Sequence, residues 1–224
     1  MKTDLISTIL FDMDGTLLDS EPIHERALIQ IVKEHLSIDL AHLGATYVGQ
    51  SDGQVFRALL PQLSNKELEL LIEHKNRRVV ELLASERPTL STGIEDFLAG
   101  LAEDGIKLAV VSASEESVVA QTMSSSGLSH FFCAHYSRAQ TAMTKPSPSP
   151  YLKAMRDFML VGPRTLIIED SNPGLHSATL TGAHVLHYRG FLKGELDQKF
   201  SHLPFIDNYP RQFSEISHFF GARP

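Results

Sequence analysis

The sequence of 224 residues is poor in cysteine, in basic clusters and in long apolar runs, and each shortage excludes a class of protein. Its one cysteine, Cys133, permits no intramolecular disulfide, which is typical of a reducing compartment. No apolar run approaches the roughly 18 residues of a membrane-spanning helix. Acidic residues interrupt the first apolar run, so we expect neither a signal nor a transit peptide and predict a cytoplasmic protein.

Positive charge is also scarce, with 20 basic against 27 acidic residues and a formal net charge of −7. No block of lysine and arginine stands out, whereas a nucleic-acid-binding protein normally carries a basic patch. We therefore expect no nucleic-acid partner and no membrane partner. The length suits one large domain or a domain with a smaller insert, and it leaves the oligomeric state open, a monomer included.

Short apolar runs alternate with helical patterns along most of the chain, which is typical of an α/β fold. Buried strands are predicted within residues 5–11, 107–114, 164–172 and 184–188, and a short edge strand within 130–136. Helices are predicted within 93–105, 114–127, 149–160 and 172–182, with Ser114 and Ser149 as N-caps. Strand–helix–strand units of this kind build a parallel sheet with helices on both faces.

Residues 17–86 interrupt that alternation with helical patterns alone. They contain three predicted helices, at 21–36, 52–63 and 65–84, and residues 85–93 form a linker. The simplest interpretation is a small α-helical domain inserted after the first strand. We predict an α/β core of residues 1–16 and 87–224 and a helical insert of residues 17–86.

Two carboxylates follow the first predicted strand in the stretch "ILFDMDGT". Side chains alternate along an extended chain, so Asp12 and Asp14 lie on the same side, and Gly15 then permits a tight turn. Two adjacent buried carboxylates repel each other, and one of them would have to stay protonated. The pair therefore needs a cation between the two groups, or a site in which the two aspartates play different roles.

Further polar side chains follow the other strands in order. They are Ser112, Lys145 in the proline-flanked segment "TKPSPSP", and the acidic pair Glu169 and Asp170. Each alone has an ordinary interpretation as a turn, a loop or a helix cap. Ligands of open parallel sheets bind beyond the carboxyl ends of the strands, where all of these groups would meet. Carboxylates suit Mg²⁺, and a lysine and a hydroxyl suit phosphate.

The ordered set resembles the haloacid dehalogenase superfamily of hydrolases, in the subgroup of small-molecule phosphatases and phosphosugar mutases that includes β-phosphoglucomutase. The DxDGT motif of the family is matched by residues 12–16, and its later motifs by Ser112, Lys145 in "KPSP" and Glu169-Asp170. The resemblance extends to about residue 190. It implies a Rossmann-like core with an inserted helical cap, and a Mg²⁺-dependent phosphatase acting on a small phosphorylated metabolite such as a sugar phosphate.

The resemblance also implies a role for each matching residue. Asp12 is the nucleophile that forms an aspartyl-phosphate, and Asp14 is the general acid and base. Mg²⁺ is held by Asp12, Asp170 and the backbone carbonyl of Asp14, while Glu169 acts through water or orients Lys145. The phosphoryl oxygens are bound by Ser112, Lys145 and the backbone N–H groups of the turn at Gly15.

Some residues depart from the family pattern, and other functions stay open. Thr144 and Ser149 stand where glycine and aspartate are usual. A phosphosugar mutase is the main alternative, although Thr16 favours a phosphatase by family association. A non-catalytic binding protein is disfavoured because every acidic residue and the lysine are present. A dehalogenase needs no metal, so the second aspartate and the acidic pair argue against it.

Substrate choice is expected to lie in the insert, because the core groups contact only features that all phosphate monoesters share. The loop of residues 44–53, "GATYVGQSDG", carries polar side chains that could bind a hydroxylated substrate. His24 either faces the substrate or lies on a solvated helix face, and the sequence leaves both open.

Overall fold

The computed structural model describes residues 6–36, 52–192 and 195–220. The strands are β1 (Thr8–Phe11), β2 (Leu18–Asp19), β3 (Thr89–Leu90), β4 (Lys107–Val111), β5 (Ala134–Tyr136), β6 (Thr165–Glu169), β7 (His184–Tyr188) and β8 (Phe205–Ile206). The α-helices are α1 (Glu21–Leu36), α2 (Asp52–Leu59), α3 (Asn65–Ser85), α4 (Ile94–Glu103), α5 (Glu116–Ser126), α6 (Ser149–Asp157), α7 (Asn172–Thr179) and α8 (Ser214–Ser217).

In the described part of the chain, six strands form one sheet in the order β5-β4-β1-β6-β7-β8, and all neighbours are parallel. The central strand β1 pairs with β4 on one side and with β6 on the other. The carboxyl ends of these three strands therefore lie next to one another. The groups that follow them in the chain meet at one edge of the sheet.

Alternating side chains of the central strands supply two hydrophobic cores, one on each face of the sheet. Ile9 and Phe11 of β1 pack on one face with α4 and α5, whereas Leu10 packs on the other face with α6 and α7. The three side chains are fully buried. The sheet is thus covered on both faces, which is the arrangement expected for a purely parallel sheet.

Helices α1, α2 and α3 lie between two short strands that pair with each other. Where the chain leaves the core, β2 pairs in antiparallel fashion with β3, where it returns. Helix α3 begins with a capping box in which Ser64 and Glu67 exchange hydrogen bonds. The helices share a small core of their own around Phe56, and Val79 of α3 packs with Val118 of the core helix α5.

The predicted fold class is confirmed, since a parallel sheet carries helices on both faces. Two predicted N-caps are wrong. Helix α5 begins after Glu115, and the Ser114 hydroxyl bonds Asp14 instead. Helix α6 already includes Ser149 as its first residue, and the Ser149 N–H donates to Ser147 Oγ. Short polar side chains also bond loop groups, so their identity alone does not place a cap.

The sequence patterns missed three short strands and the last helix. β2, β3 and β8 have two residues each, too few for an alternating pattern, and α8 has four. The division into domains at residues 16 and 87 stays a prediction. Among the described helices, none has the length and apolar character required to cross a membrane.

Candidate active site

Lys145 lies at the centre of the polar cluster beyond the carboxyl ends of β1, β4 and β6. Its ammonium donates to Asp12 Oδ1 and, at 2.8 Å, to the carbonyl oxygen of Val111. The same group lies 2.7 Å from Glu169 Oε1. The side chain is 5% exposed, so these partners replace water around the charge.

Glu169, the last residue of β6, is fully buried, and both of its carboxylate oxygens accept hydrogen bonds or pair with charge from neighbouring residues. Oε1 accepts from the Tyr151 hydroxyl at 2.8 Å, in addition to its pairing with Lys145. Oε2 accepts from the backbone N–H groups of Asp170 and Ser171 and from the Ser171 hydroxyl. Of the two roles expected for Glu169, this arrangement favours the orientation of Lys145.

Asp170 packs directly against the turn that follows β1. The Thr16 hydroxyl donates to Asp170 Oδ1 at 3.2 Å. Gly15 has φ +86°, and a Cβ atom there would overlap the Asp170 carboxylate. Gly15 is thus required by both its backbone angle and its neighbour. Its N–H donates to the Leu18 carbonyl at 2.8 Å, so its expected contact with phosphate stays a prediction.

Asp14 is surrounded by hydroxyl groups. Ser20 Oγ donates to its Oδ1, while Ser114 Oγ and Ser112 Oγ lie 3.2 and 3.5 Å from its Oδ2. Asp12 and Asp14 thus have different surroundings, one against a lysine and the other among hydroxyls. Of the two alternatives for this pair, a cation between the carboxylates or different roles for the two aspartates, the different surroundings are compatible with different roles, and the roles themselves stay a prediction.

The cluster contains more negative than positive charge. Burial raises the pKa of Asp12 well above its usual range, and Lys145 opposes this while Glu169, Asp170 and Asp14 add to it. Burial and the charge of Glu169 likewise raise the pKa of Asp170 to about 8. Burial lowers the pKa of Lys145, but the carboxylates of Asp12 and Glu169 outweigh it, so that pKa is raised. An additional cation would relieve the repulsion among the carboxylates.

The donor set fits a divalent metal ion. Asp12, Glu169 and Asp170 each place a carboxylate oxygen within 4.8 Å of the others, and among the described residues they form the one such group. Hard carboxylate oxygens are the ligands that Mg²⁺ prefers. Since the oxygens of Glu169 already have protein partners, Asp12 and Asp170 are the better direct ligands. The Asp14 carboxylate lies outside this group, and its backbone carbonyl stays a predicted ligand.

His24 of α1 turns inward and does not lie on a solvated face. Its Nδ1 is 2.7 Å from the ammonium of Lys75 on α3, which also pairs with Asp52 of α2. Its Nε2 is buried and has no hydrogen-bond partner in the described part of the chain. Burial, helped by the charge of Lys75, lowers the pKa of His24 to about 4. These three side chains join the helices of the insert.

A cavity of about 340 Å³ opens beside the acidic cluster. Its lining includes Asp14, Gly15 and Asp170 together with the apolar side chains of Phe191 and Leu196. This volume is within the range of pockets for small molecules. The loop expected to select the substrate falls mostly outside the described residues, which include only Asp52 and Gly53 of residues 44–53.

The sequence patterns placed Asp12, Asp14, Ser112, Lys145, Glu169 and Asp170 in one site, and the structure brings all of them together. They missed several side chains that hold these groups, namely Thr16, Ser20, Ser114 and Tyr151. Ser114 was open to prediction, because it lies two residues after Ser112 near the end of β4. Ser20 and Tyr151 carry no signal in the sequence, since only the fold brings them to Asp14 and Glu169.

Comparison with known proteins supports the same family. A family model for haloacid dehalogenase-like hydrolases matches residues 9–187. The putative pyrophosphatase PpaX of Caldanaerobacter subterraneus is 27% identical over 79% of this chain and 79% of its own length. Protein CbbY of Cereibacter sphaeroides is 29% identical over 84% of this chain and 86% of its own. The fructose-1-phosphate phosphatase YqaB of Escherichia coli is 25% identical over 81% of this chain and 95% of its own length.

Solved structures show the same fold. CbbY from Rhodobacter sphaeroides in complex with xylulose-(1,5)bisphosphate is 25% identical and superposes with a TM-score of 0.77, covering 91% of this chain and 95% of that chain. A family IA hydrolase of the same superfamily from Entamoeba histolytica superposes with a TM-score of 0.84 at 19% identity, covering 96% of this chain and 100% of that chain.

Proposed function

The chain belongs to the haloacid dehalogenase-like hydrolase family, and we propose that it is a phosphatase that hydrolyses phosphate monoesters of small sugars. The observation that carries the proposal is the buried group of Asp12, Lys145, Glu169 and Asp170 beside the hydroxyl-lined Asp14. It combines a carboxylate nucleophile, a fixed ammonium and an acid–base group in one site. The relatives named as phosphatases support a phosphoric monoester hydrolase.

In the proposed reaction, an oxygen of the Asp12 carboxylate attacks the phosphorus atom and the ester oxygen leaves. The product of this step is an aspartyl-phosphate on Asp12. Asp14 donates a proton to the leaving oxygen, so the alcohol departs neutral. Asp14 then takes a proton from the water that attacks the aspartyl-phosphate. Inorganic phosphate is released, and both aspartates return to their starting states.

The remaining groups bind and orient the phosphoryl group. Glu169 and Val111 fix two of the three donors of the Lys145 ammonium. The third donor, which bonds Asp12, can instead bond a phosphoryl oxygen. Ser112 Oγ accepts from the Ser114 N–H at 3.0 Å and lies 3.5 Å from Asp14 Oδ2, so its hydroxyl proton can turn from Asp14 to a phosphoryl oxygen while the oxygen stays in place. A Mg²⁺ ion held by Asp12, Asp170 and the Asp14 carbonyl would supply positive charge as the two anions approach.

A phosphorylated sugar is the proposed substrate, and residues 17–86 are the proposed cap over the site. One relative is named for fructose 1-phosphate, and the CbbY structure holds a sugar bisphosphate. The cavity beside Asp14 has the size for such a molecule. Residues 44–53 are proposed to select the substrate, because the core groups contact only features that all phosphate monoesters share. Of this stretch, the Asp52 side chain turns toward α3, where it pairs with Lys75.

The experiment that tests this function is a phosphate-release assay with purified full-length protein. A panel of sugar monophosphates, with fructose 1-phosphate and p-nitrophenyl phosphate included, is assayed with Mg²⁺ and with excess EDTA. We expect inorganic phosphate to be released from at least one sugar monophosphate with Mg²⁺ and not with EDTA. If no sugar monophosphate of the panel is hydrolysed, the protein is not a sugar phosphatase. Full activity in EDTA would contradict the dependence on a metal ion.

A further inference from the structure

The backbone carbonyl of Thr16 receives two hydroxyl groups from distant parts of the chain. Ser91 Oγ donates to it at 2.6 Å and Tyr209 Oη at 3.3 Å. All three residues are buried, with exposures of 0% for Thr16, 3% for Ser91 and 5% for Tyr209. Two donors fix the orientation of a buried carbonyl more firmly than one, because turning it away would break both hydrogen bonds without water to replace them.

The Ser91 contact joins the two connections between the core and the helical insert. Besides its hydroxyl bond to Thr16, the Ser91 N–H donates to the Leu17 carbonyl at 3.0 Å. These bonds continue the antiparallel pair of β2 and β3 toward the turn at Gly15. Ser91 therefore ties the returning strand to the residues that directly follow the first motif.

Tyr209 brings the C-terminal segment to the same carbonyl. Its N–H donates to the Thr92 carbonyl at 3.0 Å, and Gly93, at φ +81°, has no side chain because a Cβ would overlap the Tyr209 carbonyl. Its ring stacks on Tyr188 at a centroid distance of 4.8 Å and on Phe97 at 5.2 Å. Tyr209 lies beyond residue 187, where the match to the family model ends.

The side chain of the same Thr16 points to the acidic cluster. Its carbonyl accepts from Ser91 and Tyr209, and its hydroxyl donates to Asp170 Oδ1 at 3.2 Å. The orientation of the Thr16 peptide thus decides whether the hydroxyl reaches Asp170. A ligand whose second oxygen or neighbouring group is fixed by a hydrogen bond holds a metal better than one that is free to turn.

We propose that Ser91 and Tyr209 are positioning residues for the metal ligand Asp170, and that they act through Thr16. This proposal rests on the metal role of Asp170 in the proposed function. Neither residue belongs to the group of three carboxylates or to the described lining of the cavity beside it. The C-terminal segment thereby has a part in the site beyond covering one face of the sheet.

The test uses four single variants of the full chain. Ser91→Ala and Tyr209→Phe each remove one donor from the Thr16 carbonyl, and Thr16→Val removes the hydroxyl that reaches Asp170. Tyr136→Phe is the matched control, because it removes the hydroxyl of another buried tyrosine in the core. Mg²⁺ binding is measured by calorimetric titration, with melting temperature and the KM for p-nitrophenyl phosphate measured on the same samples.

We expect Thr16→Val to raise the Kd for Mg²⁺ about tenfold, as supporting residues of metal sites do. Ser91→Ala and Tyr209→Phe should raise it about two- to tenfold, the factor that one hydrogen bond contributes. The KM for p-nitrophenyl phosphate should change much less, and Tyr136→Phe should keep the wild-type Kd. A lower melting temperature with an unchanged Kd in both Ser91→Ala and Tyr209→Phe would overturn the proposal.

The outcomes separate this proposal from the proposed function. Wild-type protein that binds Mg²⁺ and releases no phosphate would contradict the phosphatase, while weaker Mg²⁺ binding by the variants would still support positioning. If the wild-type protein has Mg²⁺-dependent activity and the variants keep the wild-type Kd for Mg²⁺, only the positioning role is contradicted. Wild-type protein without measurable Mg²⁺ binding would contradict both.

Discussion

At the scale of single residues, the site separates two aspartates that are almost adjacent in the sequence. Asp12 faces the ammonium of Lys145 and the acidic pair, whereas Asp14 lies among three serine hydroxyls. A carboxylate beside a fixed cation and a candidate metal site is suited to attack. A carboxyl group with hydroxyl neighbours and an open cavity beside it is suited to exchange protons.

The first prediction concerns the nucleophile. Asp12→Asn keeps the size of the side chain but replaces the carboxylate by a neutral amide, which is a poor nucleophile and a poor metal ligand, so we expect turnover to fall by about three orders of magnitude or more. Circular dichroism should show a folded protein. Asp104→Asn, a matched change at the exposed end of α4, should retain wild-type turnover. Phosphate release at the wild-type rate by Asp12→Asn would contradict the mechanism.

The second prediction concerns His24 and pH. Its folded-state pKa of about 4 lies below the ordinary value of about 6.5. The unfolded chain therefore binds a proton more readily in this window, and the free energy of unfolding falls as pH drops from about 6.5 to 4. We expect His24→Gln to reduce the loss of stability between pH 7 and pH 5 by roughly 1–2 kcal/mol, measured by urea unfolding.

The exposed His202 supplies the control for that measurement. His202→Gln should show the wild-type change in stability between the two pH values, because its side chain is exposed and, in the described structure, packs against no buried charge pair of the kind that surrounds His24. The same pH dependence in wild type and in His24→Gln would mean that burial beside Lys75 does not perturb this histidine.

At the scale of elements, the turn after β1 is formed around a glycine that two constraints require. Gly15 has a positive φ, and Asp170 occupies the space where a side chain would begin. The hydroxyl of the next residue, Thr16, bonds the same carboxylate. The strand ladder sets the distance between β1 and β6, and the turn then packs against Asp170 and fixes the position of its carboxylate.

The third prediction compares two glycines with the same backbone strain. Gly15→Ala and Gly105→Ala both place a side chain at positive φ, which costs about 1–2 kcal/mol. At Gly105, apart from its two neighbours in the chain, no residue has an atom within 4 Å of the new Cβ in the described structure. We expect both variants to lose stability in urea unfolding, and only Gly15→Ala to lose phosphatase activity and Mg²⁺ affinity. Equal activity in the two variants would show that Asp170 moves aside without consequence.

At the scale of the whole molecule, the site couples segments that are far apart in the chain. Residues 12–16, the loop at Lys145 and the end of β6 supply the charged groups, and the C-terminal segment holds the turn between them. A ligand that binds these groups binds only the folded chain. Metal binding should therefore raise the stability of the whole molecule.

The fourth prediction measures that coupling. At a Mg²⁺ concentration 100 times its Kd, the free energy of unfolding should rise by about 2.7 kcal/mol. Asp170→Asn removes a proposed ligand and should lose most of this increase, while Asp104→Asn should keep it. Urea unfolding with Mg²⁺ and with EDTA gives the values. An increase of the same size in Asp170→Asn would exclude Asp170 as a ligand.

The sequence by itself determined the fold class, the long helices and strands, and the charged residues of the site. Periodicity is a local property, so α1 and β7 lie where the patterns placed them. The order of polar groups at strand ends sufficed for Asp12, Lys145 and Asp170, because parallel strands bring their carboxyl ends to one edge of the sheet.

Tertiary structure alone decided which neutral groups hold those charges. Ser20, Tyr151 and Tyr209 reach the site through packing between elements, and a lone hydroxyl in a sequence does not reveal its partner. The same reason explains the two wrong N-caps. A serine near a helix start can cap it or bond another group, and for Ser114 the nearby carboxylate of Asp14 decided the outcome.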